Sequence, residues 1–185
     1  MPARQKNLND LFLDGLKDVF HAEKQVLRAL PKMARAVNSD ELRQSLENHR
    51  EETQGQIERL ERVFELLEKR ASGKPCQAMQ GLVEEGQEHL EEYKDSPALD
   101  AAMIAANQGI EHYEMARYGT LRTWAQQLGM TEAAQLLEET LEEEKKTDAL
   151  LTEMAESLAN QEAESGAGEE DEEEEQAPKR AGKKR

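Results

Sequence analysis

Glu23 stands in a helical seam that otherwise reads Leu13, Leu16, Phe20, Leu27, Leu30, Ala34 and Val37. Such a/d spacing marks the face a helix buries, so a carboxylate there needs something to answer its charge. The same departure recurs three times along the chain. Glu111 and Glu114, one turn apart, share a face with Ile104, Asn107, Tyr118 and Leu121. A seam from Leu42 to Leu67 turns polar at His49, Thr53 and Gln56, with Glu52 at its flank. A last seam, from Ala133 to Leu158, turns polar at Thr140, Glu144 and Thr147, with Glu143 at its flank. Buried carboxylates at one level repel each other and resist desolvation; protonation or a multivalent cation relieves both costs. Several glutamates and an imidazole inside a helical bundle match a dinuclear carboxylate metal site. The oxygen-rich donor set favours iron or manganese over zinc or copper(I).

The candidate ligands are Glu23, Glu52, Glu111, Glu114, Glu143 and His49. They would hold two iron or manganese ions per chain, with Glu114 or Glu23 bridging and Glu52 and Glu143 terminal. On the last helix two readings compete: the seam points to Glu144, whereas correspondence with Glu52 points to Glu143. His112, beside Glu111 but off the seam, reads as a supporting or surface histidine, as does His21, and His89 reads as exposed. Glu51 and Glu142 point away from the seam. The Glu-x-x-His spacing common in di-metal bundles is missing: three residues after Glu51 comes Gln54, and after Glu142 comes Lys145. Instead, His49-Arg50-Glu51-Glu52 puts the histidine before the glutamates. Tyr118, one turn from Glu114, reads as a core aromatic or as a redox partner for the site.

The elements that must carry these residues are long helices. Apolar periodicity predicts helices over about 9–37, 41–70, 98–128 and 132–158, and a shorter one over about 77–93. Ser39 or Asp40 suits the N-cap of the second, Gly129 the C-terminal cap of the fourth, and Thr131 the N-cap of the fifth. Pro31 cannot donate to the Leu27 carbonyl and predicts a bend in the first. The two long hairpins correspond at a shift of 91 residues: His21 with His112, Glu23 with Glu114, Leu30 with Leu121, Glu52 with Glu143, Leu60 with Leu151. At a 1.5 Å rise per residue, Glu23 and the 49–56 stretch lie at one level of the first hairpin, and their counterparts at the same level of the second. The polar positions therefore form one mid-bundle layer between apolar layers. A connection of about 25 residues between the hairpins is too long for a simple turn. It can run the length of a four-helix bundle and set the second and third long helices parallel.

Composition limits the remaining possibilities. The chain has 185 residues, a net charge of −16 and 4% aromatic residues. That acidity argues against a general nucleic-acid binder. No apolar run approaches membrane-spanning length, and no secretory leader is evident at the start, so the chain reads as cytoplasmic. One cysteine, Cys76, excludes an internal disulfide. Residues 1–159 read as one helical domain. Residues 160–185 carry an acidic run, Glu169 to Glu175, then a basic end, Lys179 to Arg185, and read as a disordered tail available to a charged partner.

Four blocks carry a family resemblance: LFLDGLKDVFHAEKQVLRAL (11–30), HREETQGQIER (49–59), IEHYEMARYGTL (110–121) and LEETLEEEKKTD (137–148). They resemble the YciE/YciF family of bacterial ferritin-like proteins over roughly residues 8–158. The resemblance implies an all-α, ferritin-like four-helix bundle with a crossover helix, related to rubrerythrins, a homodimer, and a place in the bacterial stress response. It aligns Glu23, Glu52, Glu114 and Glu143 with the carboxylates of the four helices, Glu111 close by. The leading expectation, drawn from the polar layer and the resemblance together, is a di-metal carboxylate protein, with redox chemistry towards oxygen or peroxide as the activity to test. The alternative is a metal-free helical structural or interaction protein in which His49, Thr53, Gln56, Thr140 and Thr147 satisfy a protonated layer.

Overall fold

In the computed structural model, residues 4–161, 163 and 164 are described. Helix α1 spans Leu8–Ala36, α2 Asp40–Leu66, α3 Gln77–Glu92, α4 Leu99–Gln127 and α5 Thr131–Met154, and α5 runs on into a π-helical turn, Ala155–Ala159. The described residues contain helices and no strand. Residues 160 and 161 are helical, and the acidic run and basic end of the expected tail lie outside the described residues.

Each helix end has a local cause. Asn7 starts α1 with a reciprocal cap, accepting from the Asp10 amide while Asp10 accepts from its own. Ser39 caps α2 by accepting from the Leu42 amide at 3.2 Å. The Thr131 hydroxyl does not cap α5; Met130 holds the cap position without a side-chain bond, and Thr131 is the first helical residue. Gly129 closes α4 at φ 73°, with its amide on Gln126 and that of Met130 on Ala125. That is the two-bond, left-handed stop glycine favours. Helix α2 ends four residues before the expected position through the same pair of bonds, with Glu68 at φ 54° in glycine's place. Helix α1 continues through Pro31 without a break.

The contacts fix the topology. α1 packs on α2 and α4, and α5 packs on α4 and α2. Tyr118 meets Glu23, Asn107 meets Met33 and Asp100 meets Asn38, so α1 and α4 run antiparallel. Arg62 meets Glu132, Arg59 meets Thr140 and Thr147 meets Glu52, so α2 and α5 do too. Helices α2 and α4 are therefore parallel, and the 67–98 connection spans the bundle, with α3 packed on α1 and α4. This is the ferritin-like arrangement. Two bonds hold the corner where the halves meet: buried Asp100 accepts from the amides of Asn38 and Ser39 at 2.8 and 2.7 Å.

The apolar core falls into two bodies. One gathers Val26, Leu30, Met33, Leu46, Met79, Met103, Ile104 and Leu151. The other gathers Phe12, Leu16, Phe20, Phe64, Tyr118, Leu121 and Leu137. The expected polar layer lies between them. Two glycines separate backbone strain from backbone entropy. Gly129→Ala is expected to destabilise by about 1 kcal/mol through its left-handed φ. Gly55→Ala, whose added methyl meets nothing within 4 Å, is expected to stabilise by about 0.5–1 kcal/mol. Urea denaturation of the two variants checks the opposite signs.

Candidate metal centre

Four helical faces converge at mid-bundle. Helix α2 supplies His49, α4 supplies Glu111 and Glu114, and α5 supplies Glu144. One ligand atom from each lies within 4.8 Å of all the others, and all four residues are buried. Glu23 of α1, also fully buried, faces the same group; its charge and those of Glu114 and Glu144 act on one another. The Tyr118 hydroxyl donates to one Glu23 oxygen, which makes Tyr118 a hydrogen-bonding member of the layer as well as a core aromatic.

Buried polar atoms are paired in most proteins; here they are not. Both carboxylate oxygens of Glu111, Glu114 and Glu144, both ring nitrogens of His49 and the second oxygen of Glu23 have no hydrogen-bond partner. His49 Nδ1 lies 3.3 Å from a Glu111 oxygen. Ionised carboxylates only accept, so Glu111 and Glu144, which face each other, bond only by sharing a proton. Burial, and then the neighbouring carboxylates, raise Glu23, Glu111 and Glu114 well above the usual carboxylate range. Burial raises Glu144 to about 8 and lowers His49 to about 4. Three carboxylates and a neutral imidazole, all unpartnered and convergent, suit a hard or borderline divalent cation.

Of the expected ligands, Glu23, His49, Glu111 and Glu114 enter the layer, and Glu52 and Glu143 lie outside it. Glu52 is exposed on α2, where the Thr147 hydroxyl reaches it at 3.5 Å. Glu143 is turned outward by the Arg59 guanidinium, which grips both of its oxygens while donating to Thr140, and Gln56 adds a third bond. The seam's choice, Glu144, is the residue that points inward. Arg59 was missed among the chemically relevant residues, although it lies in the 49–59 block at the level of Glu143. His112 is exposed beside Asp148, whereas His21 accepts from the Cys76 amide and contacts Gln25. His89, expected at the surface, is half-buried and packs edge-on against Tyr93 at 6.0 Å.

Fold and layer together define a ferritin-like helical protein with a buried carboxylate–histidine centre. Residues 7–164 match the family described as a domain of unknown function, DUF892. The protein YciF of Escherichia coli strain K12 is 49% identical over 166 residues, 88% of this chain and 98% of that one. The chain belongs to this family. The crystal structure of the E. coli stress protein YciF superposes with a TM-score of 0.81 at 48% identity, covering 84% of this chain and 99% of that one. YcfI from Rhodopseudomonas palustris, for which a structural role has been suggested, gives 0.79 at 43%, covering 82% and 97%. A Xanthomonas campestris protein at 24% identity shares the fold, with a TM-score of 0.63 over 82% and 92%.

The layer dictates how the metal-free protein responds to pH. A carboxyl whose folded pKa is raised binds its proton more tightly folded than unfolded, so it loses stability as pH rises from about 4.5 towards its folded value. His49 acts oppositely, but only between about 4 and 6.5. Four raised carboxylates outweigh one lowered histidine, so the melting temperature in excess chelator is expected to fall between pH 6.5 and 8. Glu144→Gln is expected to flatten that fall. Thermal scans across this range check both.

Proposed function

We propose that this chain is a metal–carboxylate protein of the ferritin-like class, binding iron or manganese in the buried layer and serving the bacterial stress response. One observation carries the reading: the convergent, unpartnered oxygens and nitrogens of His49, Glu111, Glu114 and Glu144. Left empty, such a layer must keep several protons against desolvation; a divalent cation neutralises charge and partners the lone pairs at once. His49, Glu111, Glu114 and Glu144 would hold it, with Glu23 adjacent. When bound, iron or manganese would supply redox chemistry towards oxygen or peroxide. The chain's own contribution is a dry, sealed site: apolar bodies close it at both ends, and Tyr118 orients Glu23.

The likeness to the E. coli stress protein supports the cellular setting, and the family's homodimer is carried over as part of the proposal. Buried His49 in its neutral form is a competent ligand near neutral pH, which metal binding requires. The competing reading keeps the layer protonated and metal-free in a structural or docking bundle, in line with the role suggested for the R. palustris relative.

Thermal melting with ferrous iron under anaerobic conditions, or with manganese, separates the two readings. Binding to the native state alone stabilises by linkage, about 2.7 kcal/mol at a hundredfold excess over Kd. The expected result is a clear rise in melting temperature, reversed by chelator. Glu114→Gln is expected to melt higher than the parent without metal at pH above the usual carboxylate range, because a neutral amide replaces a buried carboxyl that has to hold its proton, and to lose the response to metal. A melting temperature indifferent to metal and chelator in the parent chain would favour the structural reading.

A further inference from the structure

The hairpins correspond residue for residue at a shift of 91, and the fold relates them by an approximate twofold axis through the layer. A ferritin-like pair of ions needs donors from both halves. Every member of the convergent group therefore has a counterpart that ought to serve the second ion. The counterpart of His49 is Thr140, that of Glu111 is Phe20, that of Glu144 is Thr53, and only Glu114 has a carboxylate partner, Glu23. Phe20, Thr53 and Thr140 are buried in place. Thr53 donates its hydroxyl to the His49 carbonyl, and Thr140 accepts from Arg59. Phe20 stacks edge-on against Phe64. The convergent set, His49 from the first hairpin with Glu111, Glu114 and Glu144 from the second, is complete, whereas the set related to it by the shift keeps one ligand type only, the carboxylate of Glu23.

On the proposed metal-binding reading, we infer that the layer takes a single ion per chain, held by His49, Glu111, Glu114 and Glu144, and not the pair that the ferritin-like class implies. The dimensions agree. Donors within 4.8 Å of one another are about as far apart as opposite ligands on one ion, at roughly 2.0–2.6 Å per bond. A pair of ions about 3.5–4 Å apart needs donors spread further, on the side where Phe20 and the two threonines sit. The nearest spare carboxylates are committed elsewhere. Glu143 is held outward by Arg59 and Gln56, Glu52 is exposed, and one Glu23 oxygen is taken by Tyr118.

Equilibrium dialysis of the full chain against manganese, with elemental analysis and electron paramagnetic resonance, tests the count. The expected result is one manganese per chain with the hyperfine pattern of an isolated ion. Glu23→Gln is expected to keep that ion, and Glu144→Gln to lose it. Two ions per chain, or the pattern of an exchange-coupled pair, would overturn the single-ion inference while leaving metal binding intact. Retention of neither manganese nor, in a parallel anaerobic dialysis, ferrous iron would overturn both.

Discussion

Everything in this fold answers to the burial of charge at one level of the bundle. Glu23, Glu111, Glu114 and Glu144 share a water-poor layer with His49, where each ionised carboxylate raises the others' preference for a proton. A layer of this kind weakens a bundle, and apolar mass on either side has to offset it. The two separate core bodies, one around Phe12, Leu16 and Phe64 and the other around Val26, Met33 and Met103, do this. The crossover serves the same end: with α2 and α4 parallel, His49 can face Glu111 from across the bundle. Around the rim, Arg59 keeps Glu143 turned away and so limits the negative charge that reaches the centre.

Most of the architecture was legible because it is periodic. A seam of leucines interrupted once per helix, repeated at a fixed shift, gives helix number, layer height and the parallel crossover without any single residue being decisive. The departures were in details that periodicity does not encode. Glu143 and Glu144 differ by one residue, or about 100° of helix rotation, and two patterns pointed to different members. The guanidinium of Arg59, on another helix, decides between them. The early end of α2 rests on Glu68 in a conformation usually given to glycine, so composition left no mark there. His89 is covered by packing of the crossover helix, which a short amphipathic pattern does not locate.

The duplication also shows how far the halves have diverged. Tyr118 corresponds to Leu27, so one core position has gained a hydroxyl that reaches Glu23. Phe20 corresponds to Glu111, so an apolar ring fills on one side what a carboxylate fills on the other. The halves agree in helix placement and differ in chemistry, and within the middle layer the differences at Phe20/Glu111, His49/Thr140 and Thr53/Glu144 decide which side offers ligands.

The wide turn at Ala155–Ala159 marks a boundary of another kind. Shifted back by 91, it falls on residues 64–68, where α2 stops. Both copies thus leave the α-helix at the same place, one by reversing direction and the other by swelling. A π-helical turn inserts a residue into the helical count and rotates the chain beyond it by about 100°. Ala159, which ends the swelling, is buried. The swelling therefore lies where the first hairpin's helix stops, and the helical residues beyond it present faces turned relative to those of α5.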